Sequence, residues 1–224
     1  MLRNICNITY AAGKVVTMPP KVKFQKEEIA AAALDIASKK GIEGVTARET
    51  AEKLGVSTRP IFTYYDTMDQ LKHDVYELAK ERYREYVEKG LAEPIPFFGV
   101  WQQYLRFAKE EPQLYRLLFL SSRNGITGGA MEAYTYSLDL VRDSVMKIYH
   151  MDAHTADCFF RNIWLAAFSF GTLVVTDNCP YTEEEMLAIG TELSVSVCMA
   201  YKEIPGLPEG RFDRDAVFRE LIKK

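Results

Sequence analysis

Histidine and cysteine are scarce in this chain: 224 residues include three histidines and four cysteines. No pair among Cys6, Cys158, Cys179 and Cys198 has the short spacing of a zinc site or a dithiol motif. A chain this long with so few cysteines is no disulfide-stapled scaffold, and reduced thiols in the cytoplasm are the expectation. His150 and His154 lie four apart, but Asp152 between them reads as a helix cap, so no metal site is expected. A glycine-rich phosphate loop and a nucleophile elbow are both missing, which leaves little to carry catalysis, so neither an enzyme nor a cofactor is expected. No unbroken run of 18 apolar residues occurs, so no membrane partner is expected. No segment alternates apolar and polar residues with the period of a strand.

What is present fits a packed globular chain: 48% of residues are hydrophobic and 26% charged. The net charge of −3 is unevenly spread. Residues 21–72 carry nine bases against eight acids, whereas residues 73–224 carry 17 bases against 23 acids. Any affinity for a polyanion therefore belongs to the front of the chain and is modest. Met1 to Thr17 is polar and lacks periodicity, and Met18-Pro-Pro-Lys reads as a more natural beginning. Residues 1–20 are expected to be a disordered extension.

Helical periodicity begins at Lys26. Ile29, Ala32, Ala33, Ile36 and Ala37 form one apolar stripe, predicting a helix from Lys26 to Lys40 that ends at Gly41. Thr46-Ala-Arg-Glu49 reads as a capping box opening a short helix to Leu54. Gly55-Val-Ser57 reads as a turn, and Ser57 as the cap of a further short helix to about Tyr65. Thr67-Met-Asp-Gln70 opens a long helix to about Lys89, where Gly90 and Pro94-Ile-Pro96 interrupt it. Helices are further predicted over Phe97–Glu110, Leu114–Leu120, Ala130–Tyr149, Ala153–Thr176 and Thr182–Glu203. Ser121–Gly129 is expected to be a loop, and a short charged helix is predicted near Val217. The expectation is an all-α fold of about nine helices: a three-helix head over 21–72 and a larger helical domain over 73–224.

The spacing within residues 46–65 is the most particular feature. Ala51 lets two helices cross closely, Gly55 supplies a positive-φ corner, and Ile61 plugs the gap between them, with Leu54, Val56 and Tyr64 completing a small core. The run Gly44-Val-Thr-Ala-Arg-Glu-Thr-Ala-Glu-Lys-Leu-Gly-Val-Ser57, followed by Ile61-Phe-Thr-Tyr-Tyr65 and Leu71, resembles the N-terminal helix-turn-helix domain of TetR-family transcription regulators. The resemblance implies double-stranded operator DNA as partner. It makes Ser57 to Tyr65 the recognition helix, with Thr58, Arg59, Thr63 and Tyr64 nearest to base edges or phosphates. Thr46 and Arg48, on the preceding helix, would reach the backbone or an outer base. Three positions depart from the family pattern: Thr50 for Ile or Leu, Phe62 for Tyr and Met68 for Lys, the last two removing phosphate contacts. Lys21, Lys23 and Lys26 are placed to compensate as a basic arm.

The resemblance further implies a small-molecule effector pocket in the second domain. Its expected lining is Trp101, Tyr104, Tyr134, Trp164 and Phe168, suited to an apolar or aromatic molecule. The last two long helices carry small residues, among them Ala166, Ala167, Ser169 and Gly171 in one and Gly190, Ser194, Ser196 and Ala200 in the other. In the family such helices form a homodimer interface. The resulting expectation is a cytoplasmic, dimeric repressor released from DNA by its effector. The alternative, favoured by Phe62 and Met68, is a protein of the same fold that has lost DNA reading and binds a protein partner.

Overall fold

A computed structural model describes residues 25–121 and 128–223. The expectations for residues 1–20, Lys21, Lys23 and most of the 121–129 loop lie outside this range. Ten α-helices and no strand occur among the described residues.

Helix α1 (Lys26–Lys40) has the predicted bounds. Its N-terminus is closed by Gln25 and Glu28, with Glu28 accepting from the Gln25 amide at 2.7 Å. A 3-10 turn (Ile42–Gly44) leads to α2 (Ala47–Leu54). Thr46 caps α2 by accepting from the Glu49 amide at 3.2 Å. The predicted reciprocal bond is not formed, because the Glu49 carboxylate pairs with Lys40 of α1 instead. That pairing ties α2 to α1 and holds the Glu49 carboxyl below its usual range.

Helix α4 (Met68–Leu91) is the longest element, opened by the Thr67–Gln70 capping box. It ends at Leu91, within two residues of the expected end at about Lys89, so that Gly90 lies in its last turn. Gly90 lies where α4 crosses α5 (Pro96–Glu110). A Cβ there would come within 2.5 Å of the Val100 backbone nitrogen, and a Cβ on Gly99 opposite would strike the Gly90 carbonyl. The glycine pair brings the two backbones together at this crossing.

Helix α6 (Pro112–Tyr115) passes directly into a π-helical turn (Arg116–Leu120). Helices α7 (Gly129–Tyr149), α8 (Ala153–Val175), α9 (Glu183–Glu203) and α10 (Arg214–Lys223) complete the chain. Asp152 caps α8 by accepting from the Thr155 amide at 2.8 Å, and His150 ends α7 in the left-handed region. Helix α8 is long and apolar enough to cross a membrane by length and composition alone. Here it packs against α5, α7 and α9, and half of its apolar window is buried. The buried side chains form one continuous core from Ile29 in α1 to Met186 in α9. The division expected near residue 72 thus falls inside an unbroken helix.

Candidate functional site

The turn after α2 follows from its residue types. Gly55 has φ 67° and ψ 35°. Its amide donates to Glu52 O at 3.0 Å and the Val56 amide to Ala51 O at 3.0 Å, the paired bonds that close a helix at a left-handed residue. Ala51 and Ile61 are both buried at this crossing.

The segment expected to be a recognition helix over Ser57–Tyr65 is regular only as α3 (Ile61–Tyr64). Thr58 to Pro60 form a turn leading into it. The Thr58 carbonyl accepts from the Ile61 amide at 3.1 Å and from Phe62 at 3.4 Å. Ser57 does not cap it. Pro60 takes the cap position, where its missing N–H costs nothing.

Ser57, Thr58, Arg59, Thr63 and Tyr64 are all exposed along this segment, and Thr46 and Arg48 at the start of α2 are exposed as well. Several cations of this region are spent on acids: Lys40 on Glu49, and Lys39 and Lys53 on Asp35. Among the described residues neither Arg48 nor Arg59 has an ion-pair partner. The Thr63 hydroxyl donates to Arg59 O at 3.0 Å, so its hydrogen is engaged by the backbone. Phe62 is 51% exposed beside these residues.

The small core differs from the expected one by a residue: Tyr65, not Tyr64, is buried. Its hydroxyl donates to Asp74 of α4 at 2.9 Å, and Lys26 of α1 pairs with the same carboxylate oxygen at 2.7 Å. Lys26 also lies 5.1 Å from the Tyr65 ring centre. It is therefore a joint between α1, α3 and α4 and not part of a free basic arm. Nothing in the local sequence around Asp74 marks it as this junction, because its partners lie on two other elements.

The second site is a cavity of about 30 Å³ among α4, α5, α7 and α8. Trp101, Tyr104 and Trp164 line it, as do Tyr83, Ser137 and Phe160. Tyr134 and Phe168 are not on its wall. They lie against Trp164, Phe168 stacked at 5.1 Å and Tyr134 edge-on at 5.2 Å. Sequence reading missed Tyr83 and Ser137, whose hydroxyls are 3.1 Å apart across α4 and α7. Tyr83 continues the stripe of Leu71, Val75 and Ala79, so the periodicity of α4 held the signal. Tyr104 and Tyr115 share a hydroxyl contact of 3.0 Å. Burial pushes the Tyr83 and Tyr104 hydroxyls above their ordinary range, so both stay protonated and neutral.

Residues 29–75 match the family model described as bacterial regulatory proteins, tetR family. No curated protein matches the chain. Several solved structures share its fold. A transcriptional regulator described as putative, from Pseudomonas aeruginosa PAO1, aligns with a TM-score of 0.60 at 12% identity, covering 80% of this chain and 95% of that one. The fatty acid degradation regulator FadR from Bacillus halodurans aligns with a TM-score of 0.56 at 13% identity, covering 81% and 96%. A transcriptional regulator from Rhodococcus sp. Rha1 aligns with a TM-score of 0.54 at 14% identity, covering 80% and 98%. At such identities these likenesses speak for the fold. The family match covers residues 29–75, from α1 to the start of α4, and makes that segment similar to the tetR family of bacterial regulatory proteins.

Proposed function

We propose that the chain is a dimeric, ligand-responsive transcription repressor, released from its operator by a small apolar or aromatic effector. The observation that carries the reading is the pair of unpartnered guanidinium groups, Arg48 and Arg59, on the exposed face of a helix-turn-helix whose neighbouring cations are neutralised. Arg59 precedes α3, at the end of the motif that enters a major groove, and is long enough to reach a guanine edge. Arg48, with Thr46, faces the phosphates. Ser57, Thr58, Thr63 and Tyr64 fill the surface between them. Residues 21–72 act as the reading head, and residues 73–224 bind effector and dimerise.

Dimerisation fits the outer face of α8 and α9. Helix α9 buries only Met186 and Gly190 within its own chain, and leaves Val195 and Met199 more than half exposed. Leu165 on α8 is exposed likewise. Of the small residues expected there, Ala167, Gly171 and Gly190 serve internal packing, whereas Ser169 and Ser196 stay outside. The aromatic cavity supports an effector site, and Tyr83 on its wall belongs to the same helix, α4, that begins at the Tyr65–Asp74–Lys26 joint. An effector that binds the DNA-incompetent arrangement more tightly shifts the balance away from DNA, and α4 is the lever.

The exposed Phe62 supports a second reading, in which the same surface holds a protein partner and no operator. A mobility-shift titration with DNA from immediately upstream of the chain's own gene separates the two. The repressor reading expects that DNA to be bound in preference to a scrambled duplex. Equal and weak binding of both would favour the protein partner.

A further inference from the structure

Among the described residues, two buried side-chain nitrogen or oxygen atoms have no hydrogen-bond partner, the indole nitrogens of Trp101 and Trp164. They belong to the chain's only two tryptophans, and both rings line the same cavity. A buried donor without an acceptor forfeits the bond it made to water on unfolding, so native chains rarely keep one without a use. The two indoles are not equivalent. The nitrogen edge of Trp101 is turned to α9, where a Cβ on Gly190 would stand 2.6 Å from Nε1. Its N–H is therefore covered by the backbone of α9. Trp164 has one face on Phe168 and an edge contact with Tyr134, and neither accepts from its N–H.

The cavity wall carries no Asp, Glu, Lys, Arg or His. Apart from the two indoles, its polar side chains are hydroxyls already engaged: Tyr83 with Ser137, Ser137 with the Ala133 carbonyl at 2.7 Å, and Tyr104 with Tyr115. An ion placed there would lose its hydration with no opposite charge to replace it. A neutral molecule with a hydrogen-bond-accepting oxygen would lose little and would satisfy an indole N–H. We infer that the effector is an uncharged aromatic or apolar compound bearing an acceptor oxygen, such as a carbonyl, and that the Trp164 Nε1–H donates to that oxygen. The inference rests on the effector reading above and deepens it. A volume of about 30 Å³ admits only water-sized guests, so binding must spread the wall. Tyr83 is the residue to move, because its ring also borders a second void of about 10 Å³ toward Lys80 and Tyr136.

Four probes of matched size test the inference by calorimetry on the full chain: acetophenone, α-methylstyrene, benzoate and benzylammonium. α-Methylstyrene has the shape of acetophenone with a CH₂ in place of the oxygen. The expected result is that acetophenone binds about three- to tenfold more tightly than α-methylstyrene, and that the two ions bind weakly or not at all. Trp164→Phe should bring the acetophenone to α-methylstyrene ratio to about one, whereas Trp101→Phe should leave it unchanged. A purely structural role for Trp164 would weaken both neutral probes equally and keep the ratio, which would overturn the donor assignment. Equal binding of both neutral probes to the wild type would sink the acceptor inference and leave the effector site standing. Tighter binding of benzoate or benzylammonium would refute a neutral ligand, and no binding of any probe would count against the effector site itself.

Discussion

Arg59 and Arg48 carry the same charge, and the proposed function gives them different work. Arg59→Ala is expected to cost about 1–3 kcal/mol per half-site on cognate DNA and to relax preference at one base pair. Arg48→Ala should weaken binding to all duplexes alike and lower the salt dependence by about one unit per subunit. Fluorescence anisotropy on cognate and scrambled duplexes over a salt series separates the two effects. If Arg59→Ala weakened both duplexes equally, base reading would belong elsewhere. Gly55 makes a different point, because a Cβ there would meet nothing within 4 Å. Its value lies in φ 67° alone. Gly55→Ala should therefore destabilise the fold by about 1–2 kcal/mol, the cost of the left-handed region to a residue with a Cβ, read from urea unfolding. A neutral outcome would mean that the turn relaxes to another form. The Gly55 corner was legible in the sequence, since the spacing Ala51–Gly55–Ile61 depends only on local geometry. Asp74 was not, because its role is made by Lys26 and Tyr65 arriving from other helices.

At the scale of elements, the crossing of α4 and α5 sets two magnitudes against each other. Inside a helix, alanine ordinarily gains about 1 kcal/mol over glycine. At Gly90 the added Cβ meets the backbone of Gly99 and Val100, which cannot swing aside, and overpacking of this kind costs about 1–3 kcal/mol or more. Gly90→Ala is thus expected to lower the denaturation midpoint, and a rise would show that the helices can separate without loss. The end of α4 was legible to within two residues, but the close approach at Gly90 was not, because a glycine that permits close approach and one that stops a helix look alike in sequence. Where the ends are fixed by side chains the boundaries were readable: Thr67 and Gln70 for α4, Asp152 for α8, Thr182 and Glu185 for α9. The recognition segment came out shorter than its pattern, since Ser57 does not cap and regular helix waits for Ile61. The cavity was half legible. Trp101, Tyr104 and Trp164 line it, but Tyr134 and Phe168 back onto Trp164, a distinction of depth that composition does not encode.

For the molecule as a whole, the proposal requires two copies. The exposed stripe of Leu165, Val195 and Met199 is where they should meet. Sedimentation should give about twice 25.6 kDa for the wild type at micromolar concentration. Met199→Asp, which places a charge in the centre of that stripe, should give the single-chain mass with helix content intact. A dimer that survives the substitution would place the interface elsewhere. The proposed coupling between the ends of α4 adds a reciprocal demand: whatever factor an effector takes from operator affinity, operator must take from effector affinity. The most direct measurement is a nuclease footprint of the full chain on the DNA upstream of its gene. Two protected tracts are expected, related by a two-fold axis, with centres about 34–36 Å apart or a small multiple of that. Protection should fade in the Arg59→Ala variant at the same protein concentration. Uniform cleavage along the whole fragment, at concentrations where the chain is dimeric and folded, would contradict the reading of this chain as a DNA-binding repressor.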